Sequence, residues 1–152
     1  MSDRPRVRVA ALIVLDGCIV TVRHRAGERR YHLLPGGGVD FGETLSEALT
    51  REVREETGLE VSVGDPLLIS DTIAPDRSRH LVNILFAAEV TGGEITARPQ
   101  DPRVEAVDLV KPQGVAELDL RPPWADAIAR ILARNGGSCP TEYLGPLFTQ
   151  GR

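Results

Sequence analysis

Three glutamates, Glu52, Glu55 and Glu56, stand three and four residues apart in the segment GGVDFGETLSEALTREVREETGL that runs from Gly37 to Leu59. On a helix such spacings make side chains neighbours, so the acids repel one another. They also fall in the last turns of the helix this segment encodes, where the dipole is negative and disfavours anions. A cation offsets both penalties. Projected at about 100° per residue, Glu52 and Glu56 lie within about 20° of Leu45, and Glu55 about 80° to one side. Two acids thus continue the apolar line, while Arg54 points to the opposite face. Inward acids are desolvated, and mutual repulsion raises their pKa values unless a cation is bound. Hard carboxylate oxygens on a rigid helix suit Mg²⁺, with Mn²⁺ as a substitute. A solvated helix face with i,i+4 pairs such as Glu47–Arg51 is the competing reading, and it leaves the two acids on the apolar line unexplained.

The helix that must hold these acids is well marked. Thr44 and Glu47 match a T-x-x-E capping box, Leu45, Ala48, Leu49 and Val53 form an apolar stripe, and Gly58 suits a left-handed C-cap. These signals predict a helix over 45–57. Before it, Val7, Val9, Ala11 and Ile13 alternate as in a strand, Asp16-Gly17 signals a hairpin, and 18–24 returns. A short strand over 31–34 is stopped by Pro35 and the glycines Gly36, Gly37 and Gly38. After the helix, LEVSVG and PLLISDTIA suggest two strands separated near Gly64-Asp65. Further strands are expected over 80–90 and 104–110, with EITA pairing back after a turn. Pro122 and Pro123 open a last helix through Ala133, ended by Asn135-Gly136. Trp124 is expected in the core of that helix. The tail over 137–152 is rich in Gly and Pro and extended, yet its Tyr143, Leu144, Leu147 and Phe148 could dock on the body or on a partner. Strands around one strong helix, plus a second helix, give an α/β fold with a mixed sheet between helices.

The chain has 152 residues and a formal net charge of −4. That length suits one domain over 1–152, and that charge gives no footprint for a nucleic-acid duplex. No apolar run approaches membrane-spanning length. The N-terminal apolar run is short and strand-like, unlike a signal peptide, so the expected location is the cytoplasm. Cys18 and Cys139 fit no metal-ligand spacing and are expected as reduced thiols.

Gly37, Glu43, Arg51, Glu52, Val53, Glu55, Glu56, Gly58 and Leu59 match every fixed position of G-x₅-E-x₇-R-E-U-x-E-E-x-G-U, where U is a bulky aliphatic residue. In this the chain resembles the Nudix (MutT-like) hydrolases, and LPGGGVDFGET resembles the usual lead-in to their motif. The resemblance is specific over about residues 31 to 64 and one of general pattern elsewhere. It implies a Nudix-type α/β/α sandwich with a mixed central sheet, and hydrolysis of a nucleoside diphosphate linked to another group.

Carried over residue by residue, the resemblance implies that Glu52, Glu55 and Glu56 are the catalytic metal cluster. The Gly36 carbonyl would be a further ligand. Glu43 would pair with Arg51 and hold the loop to the helix, while Gly37 and Gly38 allow close backbone approach. Either Glu52 or Glu55 could take a proton. Arg23, Arg25 and Arg30, which gather before the glycines, are candidates to hold a terminal or ribose phosphate, and Glu105 is a candidate further acid. Pro75, sixteen residues beyond Leu59, resembles ADP-ribose pyrophosphatases. The resemblance therefore favours ADP-ribose or a nucleotide sugar, then a MutT-type (d)NTP pyrophosphohydrolase. A non-catalytic nucleotide sensor is the rival from another class, although such modules often lose the motif glutamates. The partners implied are a small nucleotide and a second copy of the chain, since many relatives are dimers.

Overall fold

The computed structural model describes residues 3–134 and 140–147. Strand β1 (Arg6–Leu15) is central. It turns through Asp16 and Gly17, both at positive φ, into β2 (Cys18–Ala26), which pairs with β3 (Arg29–Leu33). The three glycines are not a plain turn. Gly36–Gly38 form β4, which pairs antiparallel with Arg8–Ala10 of β1.

Helix α1 (Leu45–Thr57) has the expected limits. Its capping box closes in both directions, Thr44 N to Glu47 and Glu47 N to Thr44 Oγ1. Glu47 is held there, and Arg51 turns to other acids rather than to Glu47. Gly58 ends the helix at φ 80°, and a Cβ on it would meet the Glu94 carbonyl. A left-handed residue in such close contact must be glycine.

Two expected strands are one. β5 (Leu59–Ile73) runs through Gly64-Asp65, with register shifts between Val63 and Pro66. Pro66 has no N–H to give the ladder, so the strand bulges there instead of ending. β6 (His80–Gly93) pairs antiparallel with β5 and parallel with β1. EITA does not pair back: Thr96 N instead donates to Thr57 O at the helix end. β7 (Val104–Val110) matches its expected limits and pairs with β2. A 3₁₀ segment (Pro112–Glu117), which no sequence signal indicated, leads to α2 (Ala125–Leu132). That helix starts after the two prolines rather than at them. Asn135, Gly136, Cys139 and Phe148 lie outside the described residues. Within the tail, β8 (Glu142–Pro146) pairs parallel with the edge of β5, so this part docks on the body.

The resulting mixed sheet has the order β3-β2-β1-β6-β5-β8, with β4 on β1 and β7 on β2. Both faces of β1 are buried. Val9, Ala11 and Ile13 pack against Ala48, Leu49 and Val53 of α1. Ala10 and Leu12 pack against Trp124, Ala127 and Ile128 on the α2 side. Trp124 is 1% exposed and donates to Ser70 Oγ at 3.0 Å. Leu45, expected in the apolar stripe, is instead exposed at the start of α1. This is an α/β/α sandwich, and no helix among the described residues is long and apolar enough to cross a membrane.

Candidate active site

The C-terminal half of α1 lies against β4, and that contact builds the site. Glu56 is 2% exposed. Its Oε1 accepts the Gly36 amide at 2.7 Å, and its Oε2 stands 3.9 Å from Nε2 of the buried His24. That imidazole nitrogen has no hydrogen-bond partner. Glu52 lies against Gly37 so closely that a Cβ at residue 37 would overlap its carboxylate. The motif glycine therefore clears the space into which the acid reaches.

Arg51 organises the remaining acids. Its fork donates to both oxygens of Glu43, at 2.8 and 2.9 Å, and to the Gly38 carbonyl at 3.1 Å. It also reaches Glu52 Oε1 at 2.9 Å, Asp40 at 3.4 Å and Glu55 at 3.5 Å. The Arg51 hydrogen bonds, helped by the Asp40 amide, hold the Glu43 carboxyl at about 2. The same contacts push the Arg51 guanidinium above its ordinary value. At Glu52 burial wins: desolvation raises its pKa against the hydrogen bond and charge of Arg51, and the charges of Glu56 and Glu55 raise it further. Glu55 is the most open of the three acids, and Arg54 points to solvent and pairs with Glu60 at 3.3 Å.

A cleft of about 290 Å³ opens beside β4, with Glu56, His24 and the three glycines in its wall. Five arginines also line it: Arg6, Arg8, Arg79, Arg103 and Arg121. Sequence reading missed all five. The signal for two of them was present, because Arg6 and Arg8 alternate onto the same face of β1 as the core residues Ala10 and Leu12. Arg8 donates to the Leu34 carbonyl at 3.4 Å, and burial lowers its pKa despite the raising effect of Glu56 and Glu52. Arg121 stacks over the Tyr31 ring at 4.2 Å.

The candidates Arg23, Arg25, Arg30 and Glu105 do not line this cleft. Glu105 binds Arg30 at 2.9 Å and Arg23 at 3.1 Å, while Arg25 donates to the Gly27 carbonyl at 2.7 Å. His32 and Arg23 share Asp108, at 3.0 and 3.5 Å. This network sits on strands β2, β3 and β7, and its charges neutralise one another.

As they stand, no three His, Cys, Asp or Glu side chains among the described residues are grouped as a metal cluster. Arg51 holds Glu52 and Glu55, and the Gly36 amide holds Glu56. In kind the donors still fit a hard divalent ion. They are carboxylates, one is buried with an oxygen left unbonded to the backbone, and a glycine is cut away to admit another.

A family model described as NUDIX domain matches residues 4–134. An ADP-ribose pyrophosphatase of Methanocaldococcus jannaschii is 35% identical over 106 residues, 69% of this chain and 63% of that protein. The chain thus spans under two thirds of that relative. Phosphatase NudJ of Escherichia coli K12 is 28% identical over 152 residues, covering 97% of each chain. A crystal structure of a NUDIX hydrolase from Nitrosomonas europaea shares the fold, with a TM-score of 0.75 at 21% identity, covering 98% of this chain and 82% of that one.

Proposed function

The chain belongs to the Nudix family of hydrolases, and from that premise we propose that it cleaves the diphosphate linkage of a small nucleoside diphosphate derivative, with Mg²⁺ at Glu52, Glu55 and Glu56. The observation that carries this reading is the buried Glu56, fastened by the Gly36 amide where α1 meets a cleft lined by arginines. A carboxylate in that position, beside two more acids, has no use in packing that an apolar residue would not serve better. The Gly36 carbonyl is a further donor in this proposal.

Bound there, a divalent ion would neutralise phosphate charge and acidify a water. The chain's own residues do the rest. Gly37 and Gly38 let a diphosphate approach the backbone, and Arg8 faces its charge from β1. Arg51 fixes the loop carrying Glu43 to α1 and orients Glu52. Either Glu52, which lies against Gly37, or the more open Glu55 serves as proton acceptor.

ADP-ribose and nucleotide sugars stand first among substrates, supported by the ADP-ribose pyrophosphatase relative. (d)NTPs stand second, favoured by the arginine-rich cleft. The test is a panel of ADP-ribose, nucleotide sugars, dinucleoside polyphosphates and (d)NTPs with Mg²⁺, with products identified. A nucleoside monophosphate and a phosphorylated remainder are expected, and EDTA should stop their release. Ligand binding without turnover anywhere in the panel would instead make the chain a sensor. The same premise extends to one domain over 1–152 and to a homodimer, which light scattering on the full chain tests.

A further inference from the structure

His24 is a buried imidazole that the hydrolytic reading leaves unused. It lies on β2 four residues beyond Val20, and strand alternation puts both on the face that packs against α1. Where β2 pairs with β7, Arg23 stands opposite Ala106 and His24 opposite Val104, so Glu105 is the extra residue of a bulge. Glu105 turns to Arg23 and Arg30. β7 therefore presents a valine, not an acid, across from His24. The imidazole packs against the Tyr31 ring, with centroids 5.4 Å apart, and it lines the cleft beside Glu56.

The Gly36 amide holds Glu56 Oε1, and Oε2 is left 3.9 Å from His24 Nε2. A hydrogen bond between nitrogen and oxygen needs about 2.7–3.2 Å, so these two atoms do not form one. Nε2 is also shut off from solvent and has no other partner. His24 is 6% exposed, and burying an imidazole nitrogen unsatisfied carries a cost that an apolar residue would not. A divalent ion removes that cost. Its bonds to an imidazole nitrogen, about 2.0–2.1 Å, and to a carboxylate oxygen, about 2.0–2.2 Å, together span nearly the gap between Nε2 and Oε2. Neutral imidazole is the commonest protein ligand for metals.

We propose that His24 is a further ligand of the divalent ion, binding through Nε2 beside Glu56. The proposal rests on the hydrolase reading for the place of the ion at Glu56. It adds one nitrogen to a donor set that is otherwise oxygen. Carboxylates suit Mg²⁺, whereas imidazole suits the later first-row transition ions. The nitrogen therefore raises affinity for Co²⁺ more than for Mg²⁺, which still binds through the glutamates.

Titration of the full, EDTA-stripped chain with metal ions alone tests this. In calorimetry, His24→Gln should weaken Co²⁺ binding by about tenfold or more and Mg²⁺ binding by less than about threefold. An equal loss for both ions overturns the proposal, since a residue that only steadies Glu56 serves every ion alike. Failure of the wild type to bind Co²⁺ or Mn²⁺ at millimolar concentration overturns it too. Pulsed electron paramagnetic resonance on the Mn²⁺-loaded chain, isotopically labelled at its three histidines, reads the bond itself. Coupling to a directly bound imidazole nitrogen should appear in the wild type, in His32→Gln and in His80→Gln, and be absent from His24→Gln. If His24→Gln does not fold, the other three samples still decide. No coupling in the wild type, or its loss in His32→Gln or His80→Gln, overturns the assignment. Hydrolysis of a panel member without any nitrogen coupling removes the ligand and leaves the hydrolase reading standing. Coupling that depends on His24, in a chain that turns over nothing, sinks the hydrolase reading and leaves the ligand standing.

Discussion

Two networks of acids and arginines flank the glycine strand, and they differ in charge balance. Around α1, Arg51 contacts Asp40, Glu43, Glu52 and Glu55, and Glu56 lies beyond its reach. Acids are in excess, and among the described residues the most buried of them has no arginine within 4 Å. On β2, β3 and β7, Arg23 and Arg30 face Glu105 and Asp108. There the charges match, and the Arg30 hydrogen bond holds the Glu105 carboxyl below its ordinary range. Residue types are the same in both places. The α1 network has an unmet negative charge that a cation can answer, whereas in the sheet network arginines and carboxylates pair off, although Arg23 Nε lies 3.1 Å from Glu105 without forming a hydrogen bond. A surplus, rather than the presence of charge, marks the functional region.

The strongest way to break this distinction is to remove the surplus. Glu56→Gln keeps the shape and an acceptor for the Gly36 amide but deletes the charge. Mg²⁺-supported kcat should fall by about 100-fold or more, with a thermal midpoint close to that of wild type. Full activity in a folded Glu56→Gln protein would end the assignment of the site. Next in size is the loss of the organiser. Arg51→Ala leaves four acids without their shared cation, and positioning residues of this kind typically cost about 10- to 100-fold in metal affinity or activity. Arg51→Lys restores charge without the two-point grip on Glu43, so only part of the loss should return. Equal activity in the Ala and Lys variants would show that charge at residue 51 is irrelevant.

How much of this was legible depended on whether the signal was local. The limits of α1 follow from Thr44, Glu47 and Gly58, which act on their own neighbours. The acid row follows from helical spacing, and its family motif is contiguous. The cleft is different. Arg79 and Arg121 reach it only through the β1–β6 register and the path into α2, which no nearby residue reports. Arg6 and Arg8 share a strand face with Ala10 and Leu12, but the alternation of Val7, Val9, Ala11 and Ile13 marks only the other face. A strand buried on both faces is not described by one alternation. Arg23, Arg30 and Glu105 were legible as charges close in sequence or type to the site, yet cross-strand pairing turned them toward one another.

A smaller effect sharpens the picture of Arg51 as a neutralised organiser. Its hydrogen bonds depress the Glu43 pKa from 4.5 to about 2. A depressed carboxyl contributes stability above its unfolded value, and that contribution is lost as pH falls through the folded one. Glu43→Gln should therefore unfold at lower urea than wild type near neutral pH, and the gap should close as pH drops from 4.5 toward 2. A gap that is constant across this window would mean that the ion pair is not the source of the difference.

The smallest effect is expected in the balanced network, and it is the most direct test of the comparison. Arg30 is half exposed and bound to Glu105, so removing it exchanges one solvent-screened ion pair for water. Arg30→Ala should change KM and kcat by less than about threefold for whichever panel member is the best substrate. Glu105→Gln releases both Arg23 and Arg30 from their shared acid. If those arginines were held in reserve for phosphate, this variant would lower KM while Arg30→Ala raised it. Opposite movements of about tenfold would place the sheet network in the substrate path and erase the contrast between surplus and balance. Two small effects, with no opposition of sign, are what a self-neutralised network predicts, because neither change alters the charge presented to the cleft.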